Sequence, residues 1–363
     1  MKITANMMTI ARIVFMPIPG YLLYQDANLL FVCIVVIAVL GITDYFDGIM
    51  ARAEGPTVLG SLLDPIADKI FIAVIYLPLS ERYVQEWGRT VIPLWMIAII
   101  FSRDFLVTSL RTGLSLRDAP MRTSTLAKFK TAIQMIGIGY VLFFLAAHLS
   151  NLDAHLRICF LCIPIVIPLS LIIYRLVKGK KQGQRSVTMI ILMTVAVLIF
   201  WAAGANLAGY IIMAGITGLT AITGMSYLSD AWSAFRGKPG LMKEMGRFIL
   251  DGVMVPLAFL FLIGRYEMVG MSALIILSFT LELAVGGLGN LLASQKISPR
   301  FRWVALKSSL QILFAGGSLA IWYFDVSLGI PLGEILIACA TLVTVIFAGI
   351  SLWRHRSRYL SQI

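Results

Sequence analysis

Charged side chains are scarce in this sequence: only 13% of its 363 residues are Asp, Glu, Lys or Arg, whereas 59% are hydrophobic and the mean hydropathy is +0.90. A soluble domain carries about twice that share of charge, so a soluble globular protein is excluded. Apolar runs of membrane-spanning length recur along the chain, which indicates an integral membrane protein. No cleavable leader is evident, since Met1 to Ile3 lead directly into an apolar run that contains Arg12.

Histidine and cysteine are also rare. The histidines His148, His155 and His355 are dispersed, and the Cys-x-x-Cys formed by Cys159 and Cys162 has no second pair beside it, so a zinc site is not expected. The net charge of +12 comes from basic residues in short segments between apolar runs, without interleaved aromatics. This pattern favours membrane orientation and anionic lipid, and no nucleic-acid partner is expected.

The apolar runs predict about twelve transmembrane helices. They cover residues 5–24, 28–52, 58–80, 90–113, 124–148, 155–177, 187–205, 208–236, 243–264, 268–293, 301–324 and 331–355. With the N-terminus placed in the cytoplasm, the connections rich in Lys and Arg all fall on the inside, in agreement with the positive-inside rule. We therefore expect a protein integral to the cell membrane, with both termini cytoplasmic.

A basic, glycine-containing segment at 178–186 separates six predicted helices from six others. Because six is even, both halves enter the membrane in the same orientation, which is the condition for a parallel internal repeat. Matching residues recur at a constant offset of 183 positions: Asp47, Ala51 and Asp68 correspond to Asp230, Ala234 and Asp251. The expected fold is an all-α polytopic membrane protein with two six-helix bundles in tandem, residues 1–177 and 187–363.

Four aspartates lie between two apolar runs near the start of the chain: Asp44, Asp47, Asp64 and Asp68. An ionisable group at membrane depth costs roughly 2.5 kcal/mol or more unless it is compensated, so four together need a cation. Their spacings of three and four residues place each pair on one face of a helix. Oxygen ligands without His or Cys suit Mg²⁺ or Mn²⁺, which usually complete their shell with substrate phosphates. The alternative is that basic neighbours neutralise two charged helix ends.

The second half retains only part of this set. The same offset aligns Asp44 with Tyr227 and Asp64 with Arg247, so two of the four carboxylates are missing there. A separate offset of 177 aligns Lys130 and Gln134 with Lys307 and Gln311. We expect the second half to be a degenerate, non-catalytic copy.

The stretch 44–68 resembles the signature of the CDP-alcohol phosphotransferase family, Asp-x-x-Asp-Gly-x-x-Ala-Arg, a spacer, and Gly-x-x-x-Asp-x-x-x-Asp. Every fixed position is present, and the spacer 53–59 has seven residues. Asn6, Thr9 and Arg12, with the segments 102–106 and 128–135, are most similar to the branch of the family that makes phosphatidylglycerophosphate. This resemblance covers residues 1–177.

The resemblance implies a six-helix bundle whose active site opens to the cytoplasm and to lipid. The donor would be CDP-diacylglycerol, the acceptor sn-glycerol 3-phosphate, and CMP would be released. Relatives are homodimers, so residues 187–363 would occupy the place of a partner subunit in an intramolecular pseudo-dimer. Two alternatives stay open: the same chemistry with another alcohol, such as inositol phosphate, serine or another polyol, and a membrane transporter.

The family's motif assigns a role to each site residue. The four aspartates would hold one or two divalent ions, and Asp68 would also act as the general base. Nucleotide binding is expected of Gly48, Ala51, Arg52 and Gly60. An acceptor that carries its own phosphate needs a basic subsite, for which the candidates are Arg103, Arg111, Lys128 and Lys130. The alternative for these four cations is anchoring at the membrane edge.

Overall fold

The computed structural model of the protein describes residues 4–25, 29–55, 57–115, 125–149, 153–179, 184–235, 246, 249–263, 269–294, 301–324 and 330–360. Within these ranges the chain is almost entirely helical, and its one sheet is a two-stranded hairpin. The all-α class that the sequence predicts is therefore confirmed for the described residues.

The helices of the first half are α1 (Ala5–Phe15), α2 (Pro17–Leu23), α3 (Leu30–Glu54), α4 (Val58–Glu81), α5 (Leu94–Ser115), α6 (Thr125–Leu149) and α7 (Ala154–Val177). The predicted helix 5–24 is thus two helices, divided at Met16. The reason is Pro17, which lies at the first position of α2. A proline there lacks the N–H that would continue the preceding helix, whereas its fixed φ suits the start of a new one.

The connection between α4 and α5 is ordered by a short hairpin. Strand β1 (Tyr83–Val84) pairs antiparallel with β2 (Arg89–Thr90), and a single 3-10 turn joins them. Gly88 closes this turn with φ of 63°, a left-handed conformation that glycine adopts without steric cost. The predicted helices 58–80 and 90–113 leave residues 81–89 as their connection, and the apolar pattern does not predict this hairpin.

The second half begins with α8 (Gln184–Phe235), which consists of two helical parts where two helices, 187–205 and 208–236, were predicted. The backbone of Gly204, with φ of 75° and ψ of 171°, is not helical. A glycine with positive φ kinks the chain there and divides α8 into two helical parts, so the predicted break between two helices is confirmed and lies at Gly204.

The rest of the second half starts with a π-helical turn at Leu250–Met254, continued by α9 (Val255–Ile263), and includes α10 (Val269–Ser294), α11 (Phe301–Tyr323) and α12 (Leu332–Leu360). Helix α8 packs along α5, α6 and α7, and α10 packs on both α4 and α5. The two halves of the chain therefore contact each other directly through their helices.

Among the described residues, four helical stretches are long and apolar enough to cross a membrane: Ala5–Leu23, Leu30–Ala51, Ile190–Ser233 and Leu332–Ser357. Many large apolar side chains point outward from them, such as Val35 and Trp201. An outward apolar surface of this kind is suited to lipid, and an integral membrane protein is the class that accounts for it. The number of about twelve spans stays a prediction.

Candidate active site

Helix α1 presents three polar residues on one face, Asn6, Thr9 and Arg12, each three positions from the next. Thr9 and Arg12 are 2% and 5% exposed. Thr4 caps the start of the helix by accepting a hydrogen bond from the Met7 amide at 3.4 Å. Because α1 packs against α3 and α4, this polar face meets the two helices that carry the four aspartates.

Arg12 joins the two aspartates of α3. Its guanidinium forms an ion pair with Asp44, and its Nη2 lies 3.7 Å from Oδ2 of Asp47. The Asp44 side chain is 51% exposed, whereas those of Arg12 and Asp47 are only 4% and 8% exposed. One carboxylate therefore remains open to a ligand while the other is enclosed.

Thr9 connects α3 to α4. Its hydroxyl oxygen lies 3.1 Å from Oδ2 of Asp47 and 3.5 Å from Oδ1 of Asp64, and 3.2 Å from the Ala5 carbonyl. Asp68, one turn after Asp64, interacts electrostatically with Arg12, Asp64 and Asp47. The polar face of α1 therefore contacts both aspartates of α3 and Asp64 of α4.

The carboxylates converge on a cation that the chain itself supplies. No three of the His, Cys, Asp and Glu side chains in the described ranges are grouped closely enough to hold a metal ion. The Nε of Arg12 is buried and lacks a hydrogen-bond partner in this part of the structure. Carboxylate oxygens without His or Cys are the donors that Mg²⁺ or Mn²⁺ prefers, although in this arrangement Arg12 supplies the positive charge beside Asp44 and Asp47.

The two glycines assigned to nucleotide binding differ in their surroundings. A Cβ added to Gly48 would meet nothing within 4 Å, so the backbone there is open to a bulky ligand. A Cβ on Gly60 would lie 2.9 Å from Oγ1 of Thr57 and 3.0 Å from Oδ1 of Asn6. Gly60 is therefore needed for the packing of α4 against α1.

A chain of hydrogen bonds fixes this junction. The Gly60 amide donates to Oγ1 of Thr57 at 2.9 Å, and the Thr57 hydroxyl donates to Oδ1 of Asn6 at 3.1 Å. Thr57 is thereby the N-cap of α4, an interaction worth about 1 kcal/mol. Ala51 is half-buried on α3, and the side chain of Arg52 lies outside the described residues.

The four candidates for the acceptor phosphate are not brought together in the described residues. Arg103 donates to Asp104 at 3.0 Å, and its guanidinium lies 5.3 Å from the ring centre of Tyr227 in the second half. Arg111 is exposed near the end of α5. Lys128 and Lys130 lie on α6, but their side chains are outside the described residues.

Two features of the site were not predicted. Thr9 and Arg12 were named only as residues that resemble the family, and their direct contacts with the aspartates were not predicted. Lys69 was not considered at all, yet it follows Asp68 and donates to the hydroxyl of Thr108 on α5 at 2.6 Å. The three-residue spacing of Asn6, Thr9 and Arg12 on one apolar helix was a signal that could have placed α1 at the site.

Comparisons with known proteins identify the family of this chain. Residues 2–170 match the family model described as CDP-alcohol phosphatidyltransferase. The chain belongs to that family and is a phosphatidyltransferase of its type.

Individual relatives are named for particular reactions. The CDP-diacylglycerol–glycerol-3-phosphate 3-phosphatidyltransferase of Rickettsia bellii is 39% identical over 144 residues, which are 38% of this chain and 75% of that protein. The enzyme of the same name from Escherichia coli K12 is 28% identical over 141 residues, 38% of this chain and 75% of that protein. Human cardiolipin synthase (CMP-forming) is 36% identical over 127 residues, 34% of this chain and 38% of that protein. No solved structure matches.

Proposed function

We propose that the protein transfers the phosphatidyl group of CDP-diacylglycerol to sn-glycerol 3-phosphate, releasing CMP and forming phosphatidylglycerophosphate. The observation that carries the proposal is the contact of Thr9 and Arg12 on α1 with the signature aspartates of α3 and α4. The bacterial relatives named for this reaction support the choice of donor and acceptor.

In this proposal the four aspartates would hold Mg²⁺ or Mn²⁺, which would supply positive charge to the diphosphate of the donor and to the departing CMP. The half-exposed Asp44 gives access from outside the bundle. The open backbone at Gly48 leaves room for the nucleotide. Ala51 adds only a methyl group to the same face of α3, three residues further along.

Asp68 is the proposed general base. A hydroxyl of the acceptor attacks the phosphorus that carries diacylglycerol, and the bond from that phosphorus to the oxygen of CMP breaks. The hydroxyl proton passes to the Asp68 carboxylate. Among the four cations considered for the acceptor phosphate, the exposed Arg111 and the lysines Lys128 and Lys130 are preferred, because Arg103 is already engaged by Asp104 and Tyr227.

A second candidate function is the formation of cardiolipin, with phosphatidylglycerol as the acceptor. The similarity to human cardiolipin synthase favours it. This reaction would use the same aspartates and release the same CMP. It differs in the acceptor, which is a lipid without a free phosphate monoester and therefore needs no basic subsite of the kind proposed above.

Residues 187–363 are proposed to be a non-catalytic half that takes the place of a partner subunit, within two tandem six-helix halves. The contacts of α8 with α5, α6 and α7, and of α10 with α4 and α5, support this role. Tyr227 in place of Asp44 supports the loss of chemistry. The charge pattern of the connections supports a cytoplasmic location for both termini and the active site.

The test uses the full chain in lipid nanodiscs with Mg²⁺ and CDP-diacylglycerol labelled in its phosphatidyl group. Glycerol 3-phosphate, inositol phosphate, serine and phosphatidylglycerol are offered in turn. We expect labelled phosphatidylglycerophosphate with the first acceptor, and loss of this product after EDTA treatment that Mg²⁺ or Mn²⁺ reverses. Cardiolipin as the product would establish the second candidate, and turnover that persists after EDTA would reject the metal site.

A matched pair of variants tests the site. Asp47→Asn should abolish product formation, whereas Asp230→Asn, at the corresponding position of the second half and exposed on α8, should leave it intact. Equal effects of the two substitutions would contradict the assignment of the chemistry to the first half. Retained thermal unfolding transitions show that both variants are folded.

A further inference from the structure

The outward face of α12 carries a continuous apolar stripe that ends in a tryptophan. Its members are all exposed: Leu342, Ile346, Ile350 and Trp353. At 3.6 residues per turn these four positions fall within a sector of about 80° around the helix axis. They lie in Leu332–Ser357, one of the helical stretches that are long and apolar enough to cross a membrane. The stripe is therefore a surface that the acyl chains of lipids can cover.

The length of this stripe matches one leaflet of a bilayer. Leu342 and Trp353 are eleven positions apart in α12, which is about 16 Å along the helix axis at 1.5 Å per residue. The hydrocarbon core of a bilayer is about 30 Å thick, so the stripe spans roughly half of it. Tryptophan is typical of the boundary between hydrocarbon and headgroups. With Trp353 at that boundary, a phospholipid whose acyl chain follows the stripe has its phosphate at the level of the next turn of α12.

Two exposed arginines, Arg354 and Arg356, lie in that next turn. Around the helix axis they are displaced from Trp353 by about +100° and −60°, so they flank the end of the stripe on its two sides. The Arg356 guanidinium lies over the Trp353 ring, 3.9 Å from the ring centre, and its Nη1 donates to the Trp353 carbonyl at 3.2 Å. These two contacts restrict the Arg356 side chain, so less conformational entropy is lost when it binds a ligand.

The charge of this turn calls for an anion. Neither arginine forms an ion pair within the part of the chain that the structure describes, and the sequence 335–363 contains no Asp or Glu. A guanidinium has five N–H donors, of which the Trp353 carbonyl accepts one from Arg356. The other donors of Arg356 suit the two unesterified oxygens of a phosphodiester, which arginine binds in a bidentate manner. Arg354 adds a second positive charge on the other side of Trp353.

We propose that the end of α12 is a binding site for an anionic phospholipid of the bilayer. One acyl chain lies along the apolar stripe, and the phosphodiester is held by Arg354 and Arg356 beside Trp353. A zwitterionic phospholipid has the same phosphodiester, but the arginines repel the cation of its headgroup, so the site prefers a lipid with net negative charge. The inference goes beyond the proposed function, because it does not depend on which alcohol accepts the phosphatidyl group.

The experiment measures quenching of tryptophan fluorescence by brominated acyl chains, with the full chain in phosphatidylcholine nanodiscs. A fixed share of the lipid is either brominated phosphatidylglycerol or brominated phosphatidylcholine. Subtracting the signal of Trp353→Phe in each background isolates the contribution of Trp353. One basic residue near a membrane surface favours anionic lipid by about fivefold, so the two arginines should give a preference of up to roughly 25-fold for phosphatidylglycerol. Arg354→Gln combined with Arg356→Gln should remove this preference.

Lys178→Gln is the matched control. Lys178 is also exposed at the end of a helix, α7, and its Nζ lies 4.9 Å from the ring centre of Tyr174. Its removal should leave the preference at Trp353 unchanged, whereas Arg356→Gln alone should lower it by about fivefold. Equal quenching by the two brominated lipids in the wild type, or an unchanged preference in the double arginine variant, would overturn the inference. Equal losses in Lys178→Gln and Arg356→Gln would also overturn it, because the overall charge of the protein would then explain the preference.

Discussion

Replacing Lys307 with methionine is expected to destabilise the second half strongly without impairing the chemistry of the first. Lys307 on α11 pairs with Glu282 on α10, with 2.7 Å between Nζ and Oε2 and side chains only 7% and 9% exposed. The other carboxylate oxygen of Glu282 accepts from Nε2 of Gln311 at 2.6 Å, and the same nitrogen donates to Thr344 on α12 at 2.8 Å. The pair is thus part of a polar network that joins three helices.

The expected loss of stability follows from the burial of this ion pair. Removing one partner of a buried ion pair costs roughly 3–5 kcal/mol, because the other charge stays buried without compensation. At about 2 °C for each kcal/mol in a chain of this size, the unfolding midpoint should fall by roughly 6–10 °C. Thermal unfolding of the purified full chain in detergent, followed by far-ultraviolet circular dichroism, measures this shift. CMP release well below the transition should match the wild type.

Two further variants make the test decisive. Glu282→Gln combined with Lys307→Met removes both charges and should regain much of the lost stability. Lys178→Met removes an exposed lysine at the end of α7 and should leave the midpoint unchanged. A midpoint of Lys307→Met equal to that of the wild type, or a double variant no more stable than the single one, would refute the reasoning.

Two other substitutions test the candidate active site. Thr9→Val removes the hydroxyl between Asp47 and Asp64, so the free energy of unfolding should fall by about 1–3 kcal/mol and CMP release should decrease. Thr9→Ser keeps the hydroxyl and should preserve both the stability and the rate of CMP release. Equal behaviour of the two variants would contradict the role of the hydroxyl. Gly60→Ala should lower the unfolding midpoint, because the added Cβ has no room. Gly48→Ala should leave the midpoint unchanged and raise the KM for CDP-diacylglycerol. A lower midpoint for Gly48→Ala than for Gly60→Ala would contradict these assignments.

Local patterns in the sequence predicted much of the fold. The predicted helices 124–148, 155–177 and 301–324 match Thr125–Leu149, Ala154–Val177 and Phe301–Tyr323 within one residue at each end. Apolar runs bounded by polar residues determine such helices, and nothing distant in the chain is needed to find them. The spacing of the aspartates likewise placed each pair on one helix, whereas a metal site formed by all four stays a prediction.

Features that depend on distant contacts could not be predicted. Arg103 was assigned to the acceptor phosphate from its place beside other basic residues, but its guanidinium lies against Tyr227, 124 positions later in the chain. Arg89, in the connection between the predicted helices 58–80 and 90–113, donates to both the side chain and the backbone carbonyl of Asn206 just after the break at Gly204. Neither contact is indicated by a periodic pattern in the sequence.

The short connection between Val177 and Gln184 has a kinetic consequence. Two separate subunits meet in a bilayer at a rate set by their surface density, so sparse expression leaves part of the population unassembled. Here α8 is joined to α7 by a short segment and packs on α5, α6 and α7 of its own chain. This association is intramolecular, so each half meets the other at a high effective concentration. Contact between the two halves is therefore independent of protein abundance, and every molecule contains them in equal number.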